Sequence, residues 1–252
     1  MKDFDAERFA VIADIHSNSD ALEAVLRDIS ALGIKSVVNL GDHLSGPMAA
    51  RETAELLLAH ALPSIRGNHD RWLVENKREE MISIDGAAFD QLEESHLSWL
   101  RDLPPTLWLS EDIFACHGTP NSDTTYWMEK VSPEGEVVLR SREEVSSEAS
   151  GIKASLLLCG HTHLPRRMDL PDGRVILNPG SVGCPGYVDD APVRHVVQTG
   201  TSAACYAVVE KMVGGWATGF RHVPYDPSRM IELAKAADHP NWEGRLATGW
   251  VS

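Results

Sequence analysis

Phe9-Ala10-Val11-Ile12-Ala13 is an unbroken apolar run that ends abruptly in Asp14-Ile15-His16, and its shortness predicts a buried strand. From Asp20 the period changes. Leu22, Val25, Leu26, Ile29 and Leu32 recur at helical spacing, and Gly33 predicts the stop. Ser36-Val37-Val38-Asn39-Leu40 predicts a second strand, residues 49–62 a helix, and Pro63-Ser64-Ile65-Arg66 a short third strand. A β-α-β-α-β order of this kind predicts parallel pairing at the start of the sheet.

The middle of the chain is less regular. Residues 72–103 are charged and predict a largely helical stretch, with Leu92, Leu97 and Leu100 facing inward. Leu107-Trp108-Leu109 and Ile113-Phe114-Ala115-Cys116 predict a strand pair across Ser110-Glu111-Asp112. Residues 119–152 have few apolar anchors beyond Tyr126-Trp127-Met128 and predict a cap or an insertion. The second half reads mainly as strands, at residues 156–159, 175–177, and 205–209 paired with 216–223 through Gly214-Gly215. Asp226-Pro227 predicts the start of a last helix carrying Met230, Ile231, Leu233 and Ala234, followed by a tail to residue 252. The whole is expected to form one domain.

Nearly every predicted core strand ends in residues that bind metals. The first is followed by Asp14 and His16, the second by Gly41-Asp42-His43, and the third by Gly67-Asn68-His69-Asp70. His117-Gly118 follows the strand at Phe114, and Gly160-His161-Thr162-His163 follows the one at Leu157. Ligand sites in open α/β sheets gather outside the carboxyl ends of the strands, so these groups can converge although scattered in sequence. In extended chain, residues i and i+2 share a face, which would let Asp14 and His16, or His161 and His163, point into one site. Imidazoles with carboxylate and amide oxygens suit Mn, Fe, Zn or Ni.

Composition narrows the partners. The formal net charge of −14 at pH 7 disfavours long nucleic acid or anionic membrane, where phosphate contacts need Lys and Arg. It leaves a small phosphorylated substrate open, because bound cations invert the charge of a local site. The chain starts Met1-Lys2-Asp3-Phe4-Asp5, without the basic start and apolar core of a signal peptide, and no apolar run reaches the roughly 20 residues that span a bilayer. Cys116, Cys159, Cys184 and Cys205 form no CxxC pair, and Cys116 and Cys159, at the ends of apolar runs, predict buried thiols; a reducing cytoplasm is expected. Oligomeric state is left open by the sequence.

Taken in order, DxH, GD, GNHD, H and GHxH resemble the signature of the calcineurin-like metallophosphoesterase superfamily. Asp14-Ile15-His16-Ser17-Asn18 and Asn178-Pro179-Gly180-Ser181-Val182-Gly183 are similar to its compact bacterial branch, which includes YfcE-like phosphodiesterases and diadenosine tetraphosphatase-like proteins. The resemblance runs from about residue 9 to 223. It implies a four-layer αββα sandwich of two mixed β-sheets flanked by helices, with the metal site at the carboxyl ends of the strands. It also implies two divalent transition-metal ions. Asp14, His16 and His163 would hold one, Asn68, His117 and His161 the other, and Asp42 would bridge them. His69 would stand over the substrate as general acid. The arginine of the protein-phosphatase pattern GDxVDRG has no counterpart in Gly41-Asp42-His43-Leu44-Ser45-Gly46-Pro47.

The implied activity is hydrolysis of a phosphate ester, with a small nucleotide-like diester favoured over a monoester or a phosphoprotein. A non-catalytic protein-interaction scaffold is the rival from another class, and an intact ligand set with His69 argues against it. Asp70 would orient His69 or cap the next helix. His43 would support a ligand or lie on the surface, the surface being favoured. Asn18 is expected at the substrate, and Tyr126 and Trp127 would stack on a base or leaving group, or else anchor their segment to the core. Arg166-Arg167 reads as a surface pair more readily than as a phosphate contact.

Overall fold

The computed structural model describes Phe4 and residues 6–251, so the polar start at Met1–Asp3 and Asp5 lies outside the described residues. Strand β1 (Arg8–Ile12), helix α1 (Ser19–Ala31), strand β2 (Ser36–Asn39) and helix α2 (Ala50–His60) follow in the expected order. The third expected strand is reduced to a single parallel bridge between Asn39 and Ser64. The charged stretch after it is broken into α3 (Asn68–Glu75), a 3-10 turn (Arg78–Glu80), α4 (Ser83–Phe89) and α5 (Glu94–Asp102). Strands β3 (Thr106–Ser110) and β4 (Ile113–Cys116) come next.

Residues 119–152 are better ordered than their pattern predicts, with β5 (Glu129–Val131), β6 (Val137–Leu139) and α6 (Arg142–Glu148). Then come β7 (Leu156–Leu158), β8 (Arg166–Asp169), β9 (Val175–Asn178), β10 (Gly186–Asp189), β11 (His195–Gln198), β12 (Ala204–Met212) and β13 (Gly215–Val223). Helices α7 (Ser228–Ala236) and α8 (Trp242–Thr248) close the chain; the second was not expected. Arg166 and Arg167 are in β8, where they pair with Glu129 and Asp169.

Two mixed sheets carry the fold, ordered β13-β12-β1-β2 and β3-β4-β7-β9-β8. In the first, β1 is parallel to β2 and antiparallel to β12. In the second, β4, β7 and β9 are parallel and the edge strands β3 and β8 are antiparallel. The unbroken apolar runs have a simple cause. Phe9 and Val11 of β1 meet Ile113, Ala115, Leu156 and Leu158 between the sheets, while Ala10 and Ile12 face Leu22, Val25 and Ile29 of α1. Phe114, Cys116 and Leu157 turn the other way, toward Trp127, Val145 and Ala149. Strands buried on both faces have no polar side to alternate with. The result is the expected helix–sheet–sheet–helix sandwich.

Candidate metal centre

The ligand-type residues lie on the loops that leave β1, β2, β4 and β7, and at the start of α3. These loops do not present their side chains by extended alternation. Asp14, His16, Asp42, His161 and His163 all have left-handed backbone, with φ of 55°, 48°, 54°, 71° and 58°. Such values are uncommon outside glycine, and cluster at functional sites. The chain reverses sharply after each strand and aims successive ligands inward. Gly41 (φ +101°) allows one reversal, and a Cβ there would stand 2.5 Å from the Gly67 nitrogen. Gly67 is needed for space alone, since a Cβ on it would collide with the Asp42 carboxylate.

Two groups result, Asp14 with His16 and His163, all buried, and buried Asp42 and His117 with half-buried His161, each with its ligand atoms within 4.8 Å of one another. Asn68 joins the second through Oδ1, 3.1 Å from His117 Nε2. Asp42 Oδ2 stands 3.2 Å from His117 Nε2 and 3.8 Å from His16 Nε2, so one oxygen lies between the two groups.

Backbone carbonyls set the tautomers. Nδ1 of His16, His117 and His163 donates to Ser45 O (3.2 Å), Leu40 O (2.7 Å) and Cys184 O (2.7 Å), which turns each Nε2 toward the centre. Nε2 of His16 and of His163 then face each other at 3.2 Å. Two such lone pairs cannot hydrogen-bond to one another, and a cation between them removes the conflict.

The electrostatics agree. Burial pushes the Asp14 carboxyl up to about 8, against the pull of His117 and with the help of Asp42. Burial lowers His16 to about 4 and His161 to about 3, leaving neutral ligands. At His117 burial also opposes charge, but Asp42 and Asp14 prevail and raise it to about 10. Buried carboxylates here draw in positive charge, and the donor set fits two divalent cations.

His69 stands beside these groups. Its ring is 5.4 Å from that of His16 and 4.8 Å from that of Trp72. Nδ1 is 2.8 Å from Asp85 Oδ1 and 3.2 Å from Ser45 Oγ. Burial works against a charge on His69, while Asp42 and Asp85 outweigh it and raise the ring to about 9. Asp85, buried in α4, therefore orients His69, and Asp70 does not. Asp70 accepts from the backbone N–H groups of Asp42, His43 and Gly67 at 2.8–2.9 Å, and pairs with His43 Nδ1 at 2.7 Å. It fixes the loop that carries Asp42. His43 is fully buried and holds Asp70, in contrast to the favoured surface reading.

The remaining expectations divide. Tyr126 lines the cleft above the metal centre, its ring 5.1 Å from that of His161 and its hydroxyl 2.6 Å from that of Tyr187. Trp127 does not reach the cleft. It is 1 % exposed, its indole N–H donates to Val145 O at 3.1 Å, and it anchors the segment to the core. Asn18 has no group left for a substrate. Its Oδ1 caps α1 at Ala21 N, and its Nδ2 donates to Gly183 O and Tyr225 Oη.

The profile of the calcineurin-like phosphoesterase superfamily domain matches residues 8–202, most of the chain and every residue of both ligand groups. The chain belongs to this superfamily. Its members typically hold two divalent metals, in keeping with the two groups described above. Methanocaldococcus jannaschii protein MJ0912 is 26% identical over 257 residues, covering 95% of this chain and 97% of that protein. The solved structure of a metallophosphoesterase from Sphaerobacter thermophilus is 26% identical, with a TM-score of 0.74 over 96% of this chain and 100% of its own. Protein PH1004 of Pyrococcus horikoshii OT3, at 20% identity, shares the fold with a TM-score of 0.75 over 97% of this chain and 99% of its own. Membership supports a hydrolase. Among the described residues no helix is long and apolar enough to cross a membrane.

Proposed function

We propose that this phosphoesterase is a dinuclear metal-dependent phosphodiesterase acting on small nucleotide-like substrates. The observation that carries the reading is the pair of ligand groups, joined through Asp42 and opening on a cleft of about 1140 Å³. Asp14, His16 and His163 would hold one ion, and Asn68, His117 and His161 the other. When bound, such ions supply Lewis-acid neutralisation of charge on a phosphoryl group.

The chain's own residues do the rest. The carbonyls of Ser45, Leu40 and Cys184 keep three imidazoles in the tautomer that presents Nε2. Asp85 and Ser45 engage Nδ1 of His69, which leaves a proton on its Nε2 available to a leaving oxygen. Cations in the site would offset the influence of Asp42 on that ring, whereas the direct bond to Asp85 would persist. Diester preference rests on room. A single phosphate needs little of the cleft, whose volume of about 1140 Å³ lies just above the roughly 300–1,000 Å³ typical of pockets for drug-sized ligands.

The net charge of −14 supports a small substrate over long nucleic acid or a membrane surface, and four free, buried cysteines support a reducing cytoplasm. The test is a hydrolysis panel on chelator-treated protein reconstituted with Mn, Fe, Zn, Ni or Mg, using bis-p-nitrophenyl phosphate, p-nitrophenyl phosphate, cyclic nucleotides and dinucleoside polyphosphates. Turnover of diesters, absent after chelation, is expected. Turnover of the monoester alone removes the diester preference, and no turnover in protein that binds two ions removes the enzyme.

A further inference from the structure

Four basic side chains line the cleft, and three are already paired. Lys130 meets Glu144 at 3.1 Å, Arg140 meets Glu148 at 3.1 Å, and Arg194 meets Asp190 at 2.8 Å. Arg245 differs. It is 7 % exposed, and among the described residues its guanidinium makes no ion pair and no hydrogen bond. Nε is buried without a partner, and the group lies over the Trp242 ring at 5.0 Å.

A buried charge is normally paired, because desolvation without compensation is costly. The planar guanidinium fork matches two oxygens of a phosphate, and stacking on an indole holds it flat. Arg245 is also linked to the metal centre. Cys184 lies within the field of Arg245, its carbonyl accepts from the ligand His163, and its side chain packs with Trp242. Helix α8 lies beyond residues 8–202, so this feature is not part of what the superfamily profile matches.

We infer that Arg245 is the anchor for a second, non-reacting phosphoryl group, so that the substrate is a phosphate ester carrying another phosphate, such as a nucleoside bisphosphate or polyphosphate. The inference rests on the proposed hydrolysis for its catalytic arm only. The guanidinium and the ligand groups line the same cleft and would hold the two ends of such a molecule, while the other three basic side chains there are already paired.

Equilibrium dialysis of labelled inorganic phosphate against the full chain tests the site directly. The Mn-loaded wild type is expected to bind two phosphates and Arg245→Gln one; after chelation the counts become one and none. Arg245→Lys, which keeps the charge without the fork, should bind the second phosphate about tenfold more weakly. Should Arg245→Gln not fold by circular dichroism, the lysine variant alone decides. In the catalytic arm, thymidine 3′-phosphate 5′-(p-nitrophenyl phosphate) is compared with the same ester lacking the 3′-phosphate. Arg245→Gln should lower kcat/KM about tenfold more on the bisphosphate. Equal phosphate counts in wild type and variant, equal losses on the two esters, or acetate bound in place of phosphate would each overturn the inference. Phosphate held by Arg245 in a chain that hydrolyses neither ester leaves the site standing and removes the hydrolase reading.

Discussion

The two walls of the cleft are built on opposite rules. On the inner wall, main-chain groups fix the ligands' surroundings: the carbonyls of Ser45, Leu40 and Cys184 orient three imidazoles, and Asp70 ties the amides of residues 42, 43 and 67. On the outer wall, from Tyr126 to Glu148 and from Tyr187 to Arg245, side chains mostly satisfy one another, as in Arg140 with Glu148 and Tyr126 with Tyr187. Chemistry set by main chain tolerates little change, whereas a wall of paired side chains can be rebuilt without disturbing the fold. One fold can therefore keep its reaction and alter what it accepts.

Substitutions can break this comparison. Asp42→Asn, on the inner wall, should lower turnover roughly 10³-fold, the upper range for loss of one electrostatic stabiliser. Metal analysis should find fewer than two ions per chain, and full occupancy would show that Asp42 is not shared. Trp127→Ala should destabilise the outer wall by about 3 kcal/mol, as for other buried aromatic truncations. Chemical denaturation reads this. An unchanged midpoint with a raised KM for aromatic esters would return Trp127 to the substrate. Asp85→Asn should lower kcat by about 10- to 100-fold, as loss of a group orienting an imidazole does at metal sites, with both ions retained. Because Asp85 raises His69, its loss should also move the high-pH fall in kcat to lower pH. An unmoved limb would mean that His69 does not carry the proton.

The inner wall was largely legible in the sequence, because each ligand follows an apolar run and the strand-end rule gathers them. Its backbone was not, since nothing in Asp14-Ile15-His16 announces left-handed φ. Asp85 was invisible, as it lies 16 residues beyond His69 in a helix with no motif around it. Arg245 was equally silent, one arginine in a polar tail. Strands β5, β6, β10 and β11 escaped notice because they are short and partly exposed, with few apolar positions to reveal a period. Tyr126 and Trp127 lie in the loop before β5, where no strand or helix period assigns a side chain to a face, so nothing in the pattern separates the residue in the cleft from the one in the core.

The left-handed ligands have a consequence for how such a protein can change. Each non-glycine residue held there costs on the order of 1–3 kcal/mol, and five of them weigh against a net stability of about 5–15 kcal/mol for a whole domain. The apolar layers between and outside the sheets must offset that strain in every copy, whether or not substrate is at hand. Thermal robustness and catalytic competence thus oppose each other at these positions, and a lineage that loses its substrate has a direct route to a sturdier fold by relaxing them.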